Sequence, residues 1–185
     1  GTHVAGIASA VTNNSTGIAS IGYNCSILPV KVSRDDRRDG DGHPYVVYGF
    51  EGIKYAADKG AKVINCSWGG YSSSYFEQEI INYATAKGAL VIAAAGNENS
   101  NELFYPASYN NVLSVGWLNT VDDTRAYYAF DSGGNYNLMI DVMAPGTNIY
   151  SCWPEVSGIN YRIASGSSMS APLVSGLAGL VFTKF

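Results

Sequence analysis

The segment Leu90-Val-Ile-Ala-Ala-Ala95 decides the fold, because it is almost continuously apolar and lies between two glycines, Gly88 and Gly96. An apolar run of this length between glycines is typical of a strand that is covered on both faces. Such strands occur mainly in parallel sheets with helices packed on each side. We therefore expect this segment to form a buried strand of a parallel sheet.

Patterns typical of strands and helices alternate on both sides of this segment. Val63-Ile-Asn-Cys66 forms the preceding strand, and between the two strands Ser74 and Glu77 make the capping box of a helix that ends at Gly88. The same periodicities predict further strands over 26–32, 112–115 and 139–143, and a helix over 46–57 that ends at Gly60. This order predicts an α/β fold with a largely parallel sheet and helices on both faces.

Both ends of the sequence predict helices. Residues 4–11 carry an apolar stripe, and residues 169–182 are apolar nearly all round, which predicts a buried helix. Pro172 fits the opening turns of that helix, where a missing N–H is least costly. We expect the helix to begin near Ser167 or Ser168.

Length and charge exclude several classes of function. The 11 basic and 15 acidic residues give a net charge of −4, so there is no basic surface for nucleic acid or an anionic membrane. The longest apolar run, 171–182, is shorter than the roughly 20 residues that span a bilayer. A chain of 185 residues suffices for one domain with a sizeable core. We expect a monomer that binds neither nucleic acid nor membrane.

The three cysteines, Cys25, Cys66 and Cys152, have no spacing typical of a zinc site. Because their number is odd, they cannot all pair within the chain. Cys66 lies in an apolar run, and we interpret it as a small core residue. Cysteine usage alone therefore leaves the redox compartment open.

Two of the predicted strands end in turns that place bare backbone beside polar groups. The strand at Val63 continues into Ser67-Trp-Gly-Gly70, and the strand at Leu90 continues into Gly96-Asn-Glu-Asn99. Ligands bind beyond the carboxyl ends of parallel strands, so these turns are candidates for the floor of a cleft. Either turn by itself is explained as well by an ordinary connection from strand to helix.

A cluster of hydroxyl groups, Ser165-Gly-Ser-Ser-Met-Ser-Ala-Pro172, lies at the start of the last predicted helix. A serine at this position can cap the helix. It can also act as a nucleophile, because the helix N-terminus stabilises negative charge that develops on a substrate oxygen. Ser170 occupies the position of the last glycine in the G-x-S-x-G motif, so the cluster is not the nucleophile turn of the α/β-hydrolases. Spacing alone leaves both interpretations open.

Taken together, these features resemble the subtilisin-like serine proteases, the subtilases, along essentially the whole chain. The matching blocks are Gly1-Thr-His-Val-Ala-Gly6, Val63-Ile-Asn-Cys-Ser-Trp-Gly-Gly70, Ala93-Ala-Ala-Gly-Asn-Glu98, Tyr105-Pro-Ala107 with Val112-Leu-Ser-Val-Gly116, Asp141-Val-Met-Ala-Pro-Gly146 and Gly166-Ser-Ser-Met-Ser-Ala-Pro172. The resemblance implies a subtilisin-like three-layer α/β fold, incomplete at its N-terminal side. Residues 1–185 would form part of a catalytic domain, beginning directly after the family's catalytic His.

The resemblance implies a serine endopeptidase that acts through an acyl-enzyme. Ser168 matches the nucleophile and Asn97 matches the side chain of the oxyanion hole. The family's triad His and Asp are expected upstream, so we expect residues 1–185 alone to be inactive. His3 matches the second His of its block and is expected to be either buried or a supporting residue behind the site, rather than catalytic. His43 is expected to be solvated. The alternative is a catalytically inactive peptide-binding protein of the same fold.

The resemblance also implies a site for a protein or peptide substrate in extended conformation. The residues expected on the two strands that flank the substrate are Ser67, Trp68 and Gly69 on one side and Gly40 and Gly42 on the other. Those expected to line the specificity pocket are Ala94, Ala95 and Gly96, with Glu98 near its far end. We expect cleavage after large apolar residues, with some acceptance of Lys.

Thr12-Asn-Asn-Ser-Thr-Gly-Ile18 resembles the family's calcium-binding loop. The expected ligands are the side chain of Asn14 and the carbonyl oxygens of Thr16 and Ile18, because calcium prefers hard oxygen ligands. A plain polar turn explains this loop equally well. We expect no cofactor for catalysis, and the family implies a secreted, extracellular protein.

Overall fold

A computed structural model describes residues 1–38, 44–129, 132–156 and 158–184. In chain order the elements are α1 (Thr2–Ser9), β1 (Ser33–Arg38), β2 (Pro44–Val46), α2 (Gly49–Asp58), β3 (Val63–Cys66), α3 (Tyr75–Ala86), β4 (Leu90–Ala94), β5 (Val112–Leu118), β6 (Tyr127–Ala129), β7 (Ser132–Gly133), β8 (Val142–Pro145), β9 (Ile149–Val156), β10 (Ile159–Ala164) and α4 (Ser167–Lys184).

The central sheet of the described residues is parallel, with the strand order β3-β4-β5-β8. β4 lies between β3 and β5, where Val91 is opposite Ile64 on one side and Val112 on the other. The apolar segment that predicted a doubly covered strand is therefore an interior strand of the sheet.

Helices cover both faces of this sheet, as predicted. Val91 and Ala93 of β4 pack into one core cluster with residues of α2 and α3. The alternate residues Ile92 and Ala94 pack into a second cluster with Ala171 of α4. Because successive side chains of a strand point to opposite faces, an apolar run along β4 serves both layers.

The start of α3 and the ends of α2 and α3 agree with the prediction, whereas α2 begins at Gly49 rather than at 46, which belongs to β2. Ser74 is the N-cap of α3, and its hydroxyl accepts a hydrogen bond from the Glu77 N–H at 3.2 Å. α2 and α3 are followed by Gly60 and Gly88, which both have φ +81°. A left-handed residue just beyond a helix is most easily supplied by glycine, so these glycines end their helices.

The predicted strand over 26–32 is wrong. Within the described residues this segment forms no ladder with another strand, and regular pairing begins at Ser33, where β1 pairs antiparallel with β2. Val30 packs against the core, and the carbonyl oxygen of Val32 accepts hydrogen bonds from Val47 and Tyr48. The apolar pattern reflects the partial burial of Val30. A strand also needs a partner strand, and the local sequence cannot indicate whether one is present.

Two further expectations need correction. β8 begins at Val142 rather than at 139, because the preceding residues form a turn. α4 begins at Ser167 as predicted, but it is not buried all round, since Leu177 is 56% and Val181 51% exposed. One face of α4 packs on the sheet and α1, and that face carries small residues rather than the large apolar ones.

α1 packs against α4 and the antiparallel hairpin of β9 and β10. His3 of α1 is 3% exposed, and its Nε2 lies 3.1 Å from the carbonyl oxygens of both Ile149 and Arg162. The expected burial of His3 is confirmed. Cys66 is also buried, and burial raises the pKa of its thiol to about 12. Among the described helices, none combines the length and the apolar character that crossing a bilayer requires.

Candidate active site

Ser168 lies in the first turn of α4, beside the end of β3. Its Oγ is 3.3 Å from the carbonyl oxygen of Ser67, and Ser67 Oγ donates in return to the carbonyl oxygen of Ser168 at 2.9 Å. Asn65 Nδ2 donates to Ser67 Oγ at 2.9 Å, while Ser175 of α4 donates to Asn65 Oδ1 at 2.9 Å. These bonds join β3 to α4, so two sequence blocks about 100 residues apart meet at one place.

Asn97 lies next to the start of α4. Its Oδ1 accepts hydrogen bonds from Ser167 N–H at 2.7 Å and from Ser167 Oγ at 2.8 Å. Among the described residues, Asn97 Nδ2 has no hydrogen-bond partner. Gly166 permits this close approach for two reasons. A Cβ at this position would crowd Asn97 Oδ1 at 3.2 Å, and the φ of +139° is a conformation that residues with a side chain rarely adopt. The carboxamide is thus held by its oxygen, and its N–H groups are available to a ligand.

The N-terminus of α4 adds a second donor. The first N–H groups of a helix have no acceptor within the helix. Ser167 N–H is used by Asn97, whereas Ser168 N–H has no backbone acceptor among the residues that the structure describes. The positive end of the helix dipole also stabilises negative charge at this position. The arrangement can stabilise an anionic oxygen next to Ser168 Oγ.

The backbone after β3 is partly unpaired. Gly70 and Tyr105 exchange two hydrogen bonds, of 2.8 and 2.7 Å, but Trp68 and Gly69 have no backbone bond to any other described residue. The Trp68 ring makes an edge contact with Phe50, with 5.6 Å between ring centroids. Trp68 therefore packs its ring towards α2. The main chain at 68–69 can pair with an added strand.

The expected pocket residues are the last residue of β4 and the two residues after it. Ala94 and Ala95 are buried, and Gly96 has φ +104° and donates its N–H to Ser167 Oγ at 3.2 Å. Glu98 is exposed, yet its Oε2 accepts a hydrogen bond from Asn97 N–H at 2.7 Å. Burial and the Glu98 carboxylate together raise the pKa of the Tyr71 hydroxyl. The end of β4 and the turn after it therefore bring buried apolar residues close to a hydrogen-bonded carboxylate.

Asn135 belongs to this site but was not identified from the sequence. It is 0% exposed, and it bonds with the turn that contains Asn97. The feature of the sequence that could have indicated Asn135 is a polar residue directly after two glycines, in Ser132-Gly-Gly-Asn135. That signal is typical of any loop, and only the structure shows that this loop crosses the turn after β4.

Other expected site residues lie apart from this cluster or outside the described residues. Gly40, Gly42 and His43 fall in the range 39–43, which lies outside them. In the loop 12–18, Asn14 Oδ1 accepts a hydrogen bond from Thr16 N–H at 3.1 Å. With the carbonyl groups of Thr16 and Ile18, this loop supplies three uncharged oxygens. Calcium takes about six to eight oxygen ligands, usually including carboxylates, so the three oxygens by themselves do not fit the ion.

Comparison with known proteins extends over the whole chain. The profile described as the Subtilase family matches residues 1–185. Thermitase of Thermoactinomyces vulgaris is 43% identical over 100% of this chain and 61% of its own length. A thermophilic serine proteinase of Bacillus sp. strain AK1 is also 43% identical, over 100% of this chain and 42% of its own. The chain thus spans about half the length of these relatives.

Solved structures of proteases also superpose on nearly the whole of this chain. A protease from Pseudoalteromonas arctica superposes with a TM-score of 0.83 and 34% identity, over 98% of this chain and 57% of that one. The protease domain of PatA superposes with a TM-score of 0.80 and 27% identity, over 100% of this chain and 64% of that one. The three-layer arrangement described above is the fold of these proteins.

Proposed function

The chain belongs to the subtilase family, and on that premise we propose that the full-length protein is a serine endopeptidase whose nucleophile is Ser168. One observation carries the proposal: Ser167 holds the Asn97 carboxamide by its oxygen at 2.7 Å, directly beside Ser168. A protein that only binds peptides has no need of two spare donors next to a hydroxyl group.

The proposed reaction has two steps. Ser168 Oγ forms a bond to the carbonyl carbon of the scissile peptide, and its proton passes to a general base. The C–N bond then breaks as that proton moves to the leaving amine, and water hydrolyses the acyl-enzyme in the same manner. Asn97 Nδ2 and Ser168 N–H donate to the oxygen that becomes negative in each tetrahedral intermediate.

The base is proposed to be a histidine outside residues 1–185, oriented by an aspartate that also lies outside them. His3 does not fit this task, because its Nε2 lies between the Ile149 and Arg162 carbonyl oxygens, 3.1 Å from each, and the side chain is buried. An imidazole held in this way cannot reach a hydroxyl proton while keeping its own bonds.

The substrate is proposed to bind as an extended strand along residues 67–69. The unpaired backbone of Trp68 and Gly69 supports this mode, because main-chain pairing provides affinity with little dependence on sequence. Buried Ala94 and Ala95 support a preference for large apolar residues before the scissile bond. The carboxylate of Glu98 supports some acceptance of Lys. The enzyme is further proposed to be secreted and monomeric.

The test is hydrolysis of a chromogenic peptide by the full-length protein. Ser168→Ala should abolish turnover, whereas Ser165→Ala, a matched change at an exposed serine of the same cluster, should leave turnover within about twofold, because it removes no group proposed to act in the reaction. Binding of the peptide without turnover by the folded wild-type protein would support the inactive peptide-binding alternative instead.

A further inference from the structure

Asn135 fills the interior of the turn that carries Asn97. Its side chain is 0% exposed. It also occupies the space beside Gly96, since a Cβ on Gly96 would lie 2.1 Å from Asn135 Nδ2. The glycine and the asparagine therefore fit each other, and neither position tolerates a larger group without movement of the turn.

The Asn135 carboxamide uses its full hydrogen-bonding capacity within this turn. Nδ2 donates to the Ala95 carbonyl oxygen at 3.0 Å and to Glu98 Oε2 at 3.2 Å. Oδ1 accepts from Glu98 N–H at 3.0 Å and from Ser100 N–H at 3.1 Å. A carboxamide has two donor hydrogens and two acceptor lone pairs, so all four are satisfied. One side chain thus connects both ends of the segment 95–100.

The connection leads directly to Asn97. Glu98 Oε2, which accepts from Asn135, also accepts from Asn97 N–H at 2.7 Å. The main chain before Asn135 bonds on either side of Glu98: Gly133 N–H donates to the Asn97 carbonyl oxygen at 3.0 Å, and Asn99 N–H donates to the Gly133 carbonyl oxygen at 2.9 Å. The backbone of Asn97 is therefore held from this side, while its side chain is held by Ser167.

We propose that Asn135 is a positioning residue for peptide hydrolysis, which fixes the turn 95–100 so that the Asn97 carboxamide is held where the oxyanion forms. This inference rests on the proposed function, in which Asn97 is the oxyanion donor. Donors that are already in place stabilise a transition state without reorganisation, and small displacements of such a group reduce the rate strongly. Asn135 touches no reacting atom, and its effect passes through Asn97.

Asn135→Asp is the sharpest variant. It preserves the shape of the side chain and its bonds to the N–H groups of Glu98 and Ser100. It places a carboxylate oxygen against the Ala95 carbonyl and the Glu98 carboxylate, where Nδ2 donates in the wild type. With a peptide that carries Leu before the scissile bond, which makes no use of the Glu98 charge, we expect kcat per active site to fall about tenfold or more with KM within about twofold, because the main loss is of transition-state stabilisation.

Asn137→Asp is the matched control. Asn137 Nδ2 donates to the Glu102 carbonyl oxygen at 2.9 Å, and Oδ1 accepts from Met139 N–H at 3.0 Å. The chemical change is the same and lies two residues along the same segment, but outside the turn 95–100. This variant should retain the kcat of the wild type. Asn135→Ser, which keeps a smaller hydrogen-bonding group, is the second variant if the aspartate does not fold.

The deciding experiment is a double-mutant cycle with Asn97→Ala in the full-length protein, with active sites counted by fluorophosphonate titration. If Asn135 acts through Asn97, then Asn135→Asp should change kcat by less than about twofold when it is introduced into the Asn97→Ala variant. An equal loss in both backgrounds, or lower thermal stability with unchanged kcat per active site, would overturn the inference. If Asn97→Ala alone leaves kcat unchanged, the oxyanion assignment is what has failed, and the inference fails with it.

Discussion

The orientation of Asn97 follows from the fact that a backbone N–H can only donate. Ser167 N–H lies 2.7 Å from the Asn97 side chain, so the contacting atom has to be the carboxamide oxygen. The nitrogen then faces away from Ser167. One hydrogen bond to the backbone therefore decides which atom of Asn97 is offered to a substrate.

Replacement of Asn97 tests this assignment at the level of a single residue. Asn97→Ala should lower kcat by about 10²–10³-fold with little change in KM, a loss of about 3–4 kcal/mol of transition-state stabilisation that matches the value known for a subtilisin. The measurement is steady-state hydrolysis of a peptide ester or anilide. Asn101→Ala, at an exposed asparagine of the same loop, is the control and should behave as the wild type. A similar loss in both variants would contradict the assignment.

Glu98 provides a second prediction at this scale. Glu98→Gln retains an oxygen that can accept from Asn97 N–H, so the turn should keep its structure. The charge is removed, and cleavage after Lys should fall relative to cleavage after Leu, because a neutral side chain attracts a cation less. Paired peptides that differ only at the residue before the scissile bond measure this ratio. An unchanged ratio would remove Glu98 from the account of specificity.

At the scale of the element, the features that local sequence determines were predictable and those that need a distant partner were not. The continuous apolar run of β4 and the cap at Ser74 are local features, and both predictions are confirmed. The segment 26–32 carries the same kind of apolar signal, yet it has no partner strand among the described residues. Asn135 was missed for the same reason, because its bonding partners lie about 40 residues away.

The cap of α3 gives a prediction for a whole element. Ser74→Ala removes the acceptor of the Glu77 N–H, so the free energy of unfolding should fall by about 0.5–2 kcal/mol. Urea unfolding of the full-length protein, followed by circular dichroism, measures the change. Ser73→Ala, an exposed neighbour outside the cap, should shift the free energy by less than about 0.5 kcal/mol. Equal effects of the two changes would show that Ser74 does not act as a cap.

At the scale of the whole molecule, β4 joins the two helical layers, and the site forms where β3, β4 and α4 meet. Ile92 is 0% exposed in the layer between β4 and α4, so Ile92→Ala should lower the free energy of unfolding by about 2–5 kcal/mol. Ile163 is 63% exposed, and Ile163→Ala should cost less than about 0.5 kcal/mol. Equilibrium unfolding compares the pair, and comparable losses would argue against β4 as the centre of the core.

The central claim is that Ser168 is the nucleophile of a serine endopeptidase, and covalent labelling tests it most directly. The full-length protein is treated with a fluorophosphonate, digested, and the modified peptide is sequenced by mass spectrometry. The account predicts one adduct, on Ser168, and none in the Ser168→Ala variant. A folded full-length protein that takes no label, or that takes it on another serine, would contradict the account.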